Sequence, residues 1–203
     1  MTSTHEPSLT SPVPELSGHG LRLLPWDADS PADAEAWLRG LTDPEFRRWN
    51  TPLRQVEDLA AARASLRAKA ERAADGADVT FRVVDAESGT TLGQIGVNMI
   101  DRLMSTARVG YWVLPEARGR GVATRALLLA GHWALTDLGL HRLELGHALG
   151  HDVSCRTAER CGFPAEGTLR GAMWEDERRS TYRDVHLHAR LATDPEVTAT
   201  AAP

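Results

Sequence analysis

From Gly110 to Gly139 the chain reads GYWVLPEARGRGVATRALLLAGHWALTDLG, and few folds accommodate that order of events. An apolar, aromatic run from Val109 to Leu114 stops at Pro115. A short arm follows, Arg118-Gly119-Arg120-Gly121-Val122-Ala123, and then a long apolar segment without proline. The pattern predicts strand, turn and helix, with the glycines at the entry to the helix. The first turn of a helix leaves backbone N–H groups without partners, and the helix dipole adds partial positive charge there. Glycine lets a bulky anion approach that backbone, and the two arginines add charge. The physical expectation is a phosphate cradle.

Three phosphate-binding designs use such a turn. The nucleoside-triphosphate loop needs Lys-Ser/Thr after its last glycine, where this chain has Val122-Ala123. The dinucleotide fingerprint needs a third glycine where Thr124 stands, and an early βαβ unit that is missing here. The third is the arm Q/R-x-x-G-x-G/A, which Arg118 to Ala123 matches at each position. An ordinary glycine turn before a helix is the competing reading, and the hexapeptide alone leaves it open.

A chain of 203 residues with 42% hydrophobic and 25% charged residues suits one globular domain with a sizeable core. A net charge of -5 gives no support for nucleic-acid binding and mildly favours a cationic substrate. No apolar run approaches the ~18 residues of a membrane span. The amino-terminal MTSTHEPSLTSPVPEL lacks the basic and apolar regions of a secretion signal. The two cysteines, Cys155 and Cys161, would sit roughly 9 Å apart along one helix, beyond disulfide reach. A reducing cytoplasm is the expected compartment.

Residues 1–17 are rich in Ser, Thr and Pro and are expected to be a disordered tail, as is 193–203; a single domain then spans 18–192. Gly20 to Trp26 suggests a first strand. Ser30-Pro31 opens a helix, serine as N-cap and proline at the first position. Asp43 to Leu53 reads as a proline-flanked loop, and a second helix runs from about Val56 to Ala74. Strands follow at 79–86, 91–101 and 106–114, then a mostly buried helix from about Gly119 to Leu138. A strand at 141–148 precedes a helix capped by Asp152 or Ser154 and closing at Gly162-Phe163. Strands 167–174 and 181–191 end the fold. The order predicts a mixed α/β domain, one central twisted sheet of about seven strands flanked by about four helices. Strand 106–114, its helix and strand 141–148 form the one clear parallel crossover, and ligands of such sheets bind beyond the carboxyl ends of strands.

Taken together, four segments resemble the GNAT (general N-acetyltransferase) superfamily from about Leu21 to Leu191, and more narrowly the RimJ/RimL-type acetyltransferases. Gly110-Tyr111-Trp112-Val113 with Pro115 and Arg118 to Ala123 is similar to the G-Y-W-v-x-P…R-G-x-G-x-A block. His141-Arg142-Leu143-Glu144 resembles the h-R-i-E strand. Ser154 to Phe163, then Glu166-Gly167, resembles S-x-x-x-a-e-r-x-G-F…e-G. Tyr182-Arg183-Asp184-Val185 resembles the closing strand. Two positions depart from the pattern: His151 replaces an Asn that contacts pantetheine, and Arg108 replaces a Glu that is a candidate general base.

The resemblance implies acetyl-CoA as acyl donor, held by Arg118, Gly119, Arg120, Gly121, Val122, Ala123 and Thr124, with His151 and Ser154 nearby. It implies direct attack of a primary amine on the thioester, the acceptor being a protein N-terminus or a small molecule. Such attack needs a neutral amine, donors for the developing oxyanion and a proton for the departing thiolate. Backbone N–H groups near Val113 and Leu114 are candidates for the oxyanion. Ser154 is the candidate partner of the sulfur, unless it only caps its helix. An α-amine with pKa near 7.7–8.0 is already roughly a quarter neutral at cytoplasmic pH, whereas a lysine near 10.4 is about 4 kcal/mol worse off. Without the usual Glu, an α-amine is the easier substrate, with water or Glu144 relaying its proton. Glu144 is equally readable as a partner for Arg142.

His147, His151, His186 and His188 invite a metal, but no cysteine spacing or H-E-x-x-H joins them, so no metal is expected. Phe46, Trp49 and Trp174 are open candidates for an acceptor groove. The rival reading is a non-catalytic acyl-CoA-binding protein. A nucleotide-binding module is a third reading, and the chain is expected to be a monomer or homodimer without nucleic-acid or membrane partners.

Overall fold

The computed structural model describes residues 13–51, 55–175 and 178–197. The strands are β1 (Leu16–Gly18), β2 (Leu21–Pro25), β3 (Val79–Asp85), β4 (Thr91–Asp101), β5 (Thr106–Val113), β6 (Arg142–Ala148), β7 (Ala165–Trp174) and β8 (Tyr182–Leu191). The helices are α1 (Pro31–Thr42), α2 (Pro44–Trp49), α3 (Leu59–Ala74), α4 (Val122–Thr136) and α5 (Asp152–Arg160). The strands form one sheet in the order β1-β2-β3-β4-β5-β6-β8-β7. Every pairing is antiparallel except β5 with β6. This is the mixed α/β sheet that the pattern of elements predicts, with one more strand and one more helix.

The extra strand is β1, in a segment expected to be disordered. His19 and Gly20 both take positive φ (54° and 71°), the backbone of a tight two-residue hairpin, and this folds Leu16–Gly18 onto β2. Val13 and Leu16 then pack on the main core. At the other end the chain past residue 193 also returns. The Leu191 N–H donates to Asp194 Oδ2 at 2.9 Å, and Val197 packs against the same core. Residues 1–12 and 198–203 of the two expected tails lie outside the described residues.

The extra helix is α2. Asp43 accepts the Phe46 N–H at 3.0 Å and Pro44 occupies the first turn, the same signature that starts α1 at Ser30-Pro31. A six-residue helix is too short for an apolar period to show. The central helix begins at Val122 rather than Gly119, because Gly119 and Gly121 both sit in the left-handed region (φ 72° and 68°) and form the arm leading into it. Its far end stops at Gly139, also at positive φ, and the Leu140 N–H turns back to the Ala134 carbonyl at 3.0 Å.

Two cores sandwich the sheet. On one face α4 and α5 cover Phe81, Ile95, Leu143 and Phe163, all fully buried. On the other, α1 and α3 close over Trp37 and Trp112, with Trp26 edge-on to Trp37 at 5.1 Å between ring centroids. Gly40 of α1 makes this closure possible. A Cβ there would lie 2.4 Å from the Trp112 ring, well inside contact distance.

The feature that positions the site is a split in the sheet. β5 pairs with β6 only through Thr106, Ala107 and Arg108 against Arg142, Leu143 and Glu144. Beyond that point β5 stays with β4 as far as Val113, while β6 stays with β8 as far as Ala148. The two halves of the sheet diverge, and a wedge opens between their carboxyl ends.

Candidate active site

The wedge leads into a cavity of about 500 Å³. Val113, Arg118, Gly119, Gly121, Val122, Ala123, Thr124, His151 and Ser154 all line it. Nine of the twelve residues expected at a site therefore converge on one opening, although the sequence spreads them over more than forty positions. The other three, Leu114, Arg120 and Glu144, do not line it.

Ladder geometry sorts the backbone donors. Leu114 donates its N–H to Leu92 of β4 at 2.9 Å, so Leu114 is not available to a thioester oxygen. Trp112 and Gly110 likewise face β4, opposite Gln94 and Gly96. Antiparallel pairing alternates direction at each residue, and β5 leaves β6 after Arg108, so the N–H groups of Tyr111 and Val113 turn toward the wedge. The Val113 carbonyl already accepts from Arg118 Nε at 3.1 Å, which leaves its N–H as the group facing the wedge at this end of β5.

At the mouth of the wedge the arm presents backbone. The first bond of α4 is from the Arg125 N–H to the Gly121 carbonyl, so the N–H groups of Val122, Ala123 and Thr124 have no partner within the helix. Gly121 is the N-cap and has no side chain to satisfy them. This cluster of donors at the positive end of a fifteen-residue helix fits a diphosphate. The arginines do less than their number suggests. Arg118 holds the buried Asp43 at the start of α2, and Arg125 donates to the His19 carbonyl at 2.8 Å. Arg120 is exposed, and Arg160 of α5 adds a cation to the lining.

Inside the cavity, Ser154 is buried and lies within α5 rather than ahead of it. The residue at the N-cap position is His151, and no side chain caps this helix, so neither Asp152 nor Ser154 is a cap. Instead Ser154 Oγ accepts a hydrogen bond from the Tyr111 hydroxyl at 3.2 Å. Burial pushes the Tyr111 phenol above its ordinary value, against hydrogen bonds with Ser154 and Thr157 that act the other way. The phenol therefore stays protonated and leaves the serine O–H free to point elsewhere. The sequence reading placed Tyr111 in a motif but gave it no chemical part, since nothing in local spacing brings it to residue 154.

His151 stacks flat on Trp49, with ring centroids 4.6 Å apart and 2° between the planes. Burial, with a further push from His147, holds its pKa below the usual 6.5, so the ring is neutral at pH 7. Burial also lowers His147, which lines the cavity as well. Phe46, Trp49 and Glu45 of α2 form the opposite wall, so two of the three aromatic candidates meet the cavity. Trp174 does not; it stacks on Tyr182 at 3.9 Å.

Glu144 sits where β5 and β6 last pair, between two guanidinium groups. Arg142 Nε lies 3.1 Å from one oxygen and Arg108 Nε 3.4 Å from the other. Arg142 also forms a two-point contact with Glu166 at 2.9 and 2.6 Å. Both Glu144 oxygens are thus engaged by guanidinium groups, and the carboxylate does not line the cavity.

The chain belongs to the GNAT family: the model of the acetyltransferase (GNAT) domain matches residues 21–164. Over 100 residues it is 32% identical to the ribosomal-protein-serine acetyltransferase of Escherichia coli (strain K12), covering 49% of this chain and 54% of that protein. The chain spans about half the length of the curated relatives it matches first. Its fold superimposes on RimL, the ribosomal L7/L12 alpha-N-protein acetyltransferase in complex with coenzyme A, with a TM-score of 0.78 at 18% identity, covering 88% of this chain and 98% of that one. RimJ of Mycobacterium smegmatis in complex with CoA-disulfide gives a TM-score of 0.76 at 23% identity, covering 90% and 88%. No described helix is long and apolar enough to cross a membrane.

Proposed function

We propose that this protein transfers an acetyl group from acetyl-CoA directly to a primary amine, and that its preferred acceptor is the α-amine of a peptide or protein. The observation that carries this reading is the wedge itself: unpaired backbone donors of β5 inside it, and the donor-rich start of α4 at its mouth. An elongated, amide-bearing thioester with a diphosphate at one end fits both. In that arrangement the α4 amides hold the diphosphate and the exposed edge of β5 binds the amide chain. The Val113 N–H donates to the thioester oxygen, which becomes negatively charged as the amine attacks.

The amine attacks the carbonyl carbon, a tetrahedral oxyanion forms, and the C–S bond breaks as the oxyanion collapses. The departing thiolate takes a hydrogen bond from Ser154, whose oxygen is held by Tyr111. Neutral His151 takes the proton that the amine releases, a task left open by Arg108 and by the paired Glu144. A neutral imidazole is an adequate acceptor for an α-amine with pKa about 7.7–8.0, which is partly deprotonated before it binds. It is a poor remedy for lysine, whose neutral fraction is about a thousandth at that pH. Glu45 suits the acceptor side, offering a carboxylate to a cationic terminus, and its Oε1 is oriented by the Trp49 Nε1–H at 2.8 Å.

Thiol release from acetyl-CoA with peptides that differ only in a free or blocked N-terminus tests the proposal. Release that requires the free α-amine supports it. Release with small amines alone would move the acceptor to metabolites. Tight acetyl-CoA binding without acceptor-dependent release would favour a non-catalytic binding protein.

A further inference from the structure

Beneath the cavity, β6, β8 and α5 bring together His147, His186, His188 and Cys155, with one potential ligand atom from each within 4.8 Å of all the others. No local spacing announces this set. His147 and His186 are directly paired across β6 and β8, His188 is two residues further along the same face, and Cys155 descends from the helix that covers them.

The hydrogen bonds determine which atoms are available. His147 Nδ1 lies 3.0 Å from the Ala148 carbonyl, and His188 Nδ1 lies 2.9 Å from the Phe163 carbonyl. A carbonyl only accepts, so both Nδ1 atoms carry hydrogen. In neutral rings both Nε2 atoms are then lone pairs, yet they face each other at 3.2 Å. Two lone pairs at that distance repel unless a cation lies between them. His188 is fully buried and His147 nearly so, and among the described residues no carboxylate hydrogen-bonds either ring to stabilise an imidazolium. A ring oriented by an Nδ1–H to carbonyl bond, with Nε2 left free, is the arrangement found at metal-binding histidines.

The distances have the right scale. Two nitrogens bound tetrahedrally at 2.0–2.1 Å lie roughly 3.3 Å apart, and a thiolate at 2.3 Å lies about 3.6 Å from a nitrogen. The corresponding separations are 3.2 Å for His147 Nε2 to His188 Nε2 and 3.7 Å for Cys155 Sγ to His186 Nδ1. We propose that His147, Cys155, His186 and His188 form a four-ligand site for a zinc-class divalent ion. Three imidazoles and one thiolate suit zinc, and exclude calcium and magnesium, which require oxygen. On binding, the Cys155 S–H bond is replaced by an S–metal bond. Its proton leaves by way of Glu159, whose Oε1 is 3.8 Å from the sulfur. The ion would tie the start of α5 to the sheet one residue from Ser154, and would withdraw His147 Nε2 from the cavity. The site does not depend on the acetyl-transfer reading.

The test uses the full chain, stripped with chelator and titrated with cobalt(II) without any acetyl donor. The expected result is one equivalent bound at micromolar concentration, with the visible bands of tetrahedral cobalt and a thiolate-to-cobalt charge-transfer band, all displaced by zinc. Cys155→Ser removes the charge-transfer band, and His186→Ala weakens binding by at least about tenfold. Both positions are only half-buried, and circular dichroism checks that the variants remain folded. Absence of bands in the folded wild type, bands that need millimolar cobalt, or a charge-transfer band that persists in Cys155→Ser would each overturn the proposal.

Discussion

The two walls of the cavity are built on different principles. The donor wall, formed by β5, the glycine arm and the start of α4, presents backbone amides whose directions follow from ladder and helix geometry. The acceptor wall, formed by α2 and the entry to α5, presents side chains: Glu45, Phe46, Trp49 and His151. A backbone wall recognises what every acetyl-CoA shares. A side-chain wall can change residue by residue without disturbing the sheet. Arg118 is the joint between them, since it holds Asp43 at the head of α2 and the Val113 carbonyl at the end of β5.

If the walls are independent, substitutions should separate donor from acceptor parameters. The largest effect is expected at Ser154, where the walls meet. Ser154→Ala should lower kcat on the order of a hundredfold with little change in either KM, because in the proposed mechanism the serine acts on the departing sulfur. Equal loss in kcat and acetyl-CoA affinity would make it a binding residue instead. Next is Gly121→Val, which places a branched side chain at φ 68° among the amides. A left-handed backbone costs such a residue about 1–2 kcal/mol, so acetyl-CoA should bind roughly tenfold more weakly or worse by calorimetry, for every acceptor alike.

Trp49→Ala tests the other wall. Losing a stacked pair worth about 0.5–1.5 kcal/mol should raise the acceptor KM roughly three- to tenfold while the acetyl-CoA Kd stays constant. A parallel rise in both constants would mean the walls are coupled through Arg118. Tyr111→Phe should reduce kcat about fivefold, the loss of one neutral hydrogen bond of ~1 kcal/mol, without altering KM. The smallest effect is expected for Glu144→Gln, within about twofold in all parameters, because that carboxylate is paired outside the cavity.

The pH profile sharpens the same contrast. Burial depresses the pKa of His151, so its neutral, proton-accepting form predominates at pH 6.5 and above and is lost as pH falls through that lowered pKa. The limb of kcat/KM that remains near neutrality should then belong to the acceptor, rising through about 7.7–8.0 for an α-amine. It should move with the acceptor's own pKa when peptides of different first residue are compared.

The same division explains what the sequence disclosed. The donor wall was legible because glycines at the turn, the strand ending at Pro115 and the uncapped helix start are local patterns. Leu114 and Arg120 are the departures: ladder phase decides whether a given N–H faces a neighbour or a gap, and phase requires the partner strand, while the Arg120 side chain is exposed outside the cavity. At the acceptor wall the sequence offered Phe46, Trp49 and His151 as candidates but not the element that carries the first two. α2 hid as a six-residue helix, although Asp43-Pro44 repeated the start signal of Ser30-Pro31. Tyr111 and Ser154 are forty-three positions apart, and only the packing of α5 onto β6, β8 and α4 brings them into contact. The histidine and cysteine cluster escaped for the same reason: its ligands come from three elements, and no spacing rule spans them. From sequence Glu144 reads equally as a proton relay or as a partner for Arg142, and the second guanidinium beside it, that of Arg108, appears only when β5 pairs with β6.

The most direct test of the central claim is acceptor-dependent release of coenzyme A thiol, measured with one peptide in three forms: free N-terminus, acetylated N-terminus with a free lysine, and acetylated N-terminus without lysine. The account predicts release with the first form, and background rates with the other two. Equal release with the first and second forms, or none with any despite tight acetyl-CoA binding, would contradict it.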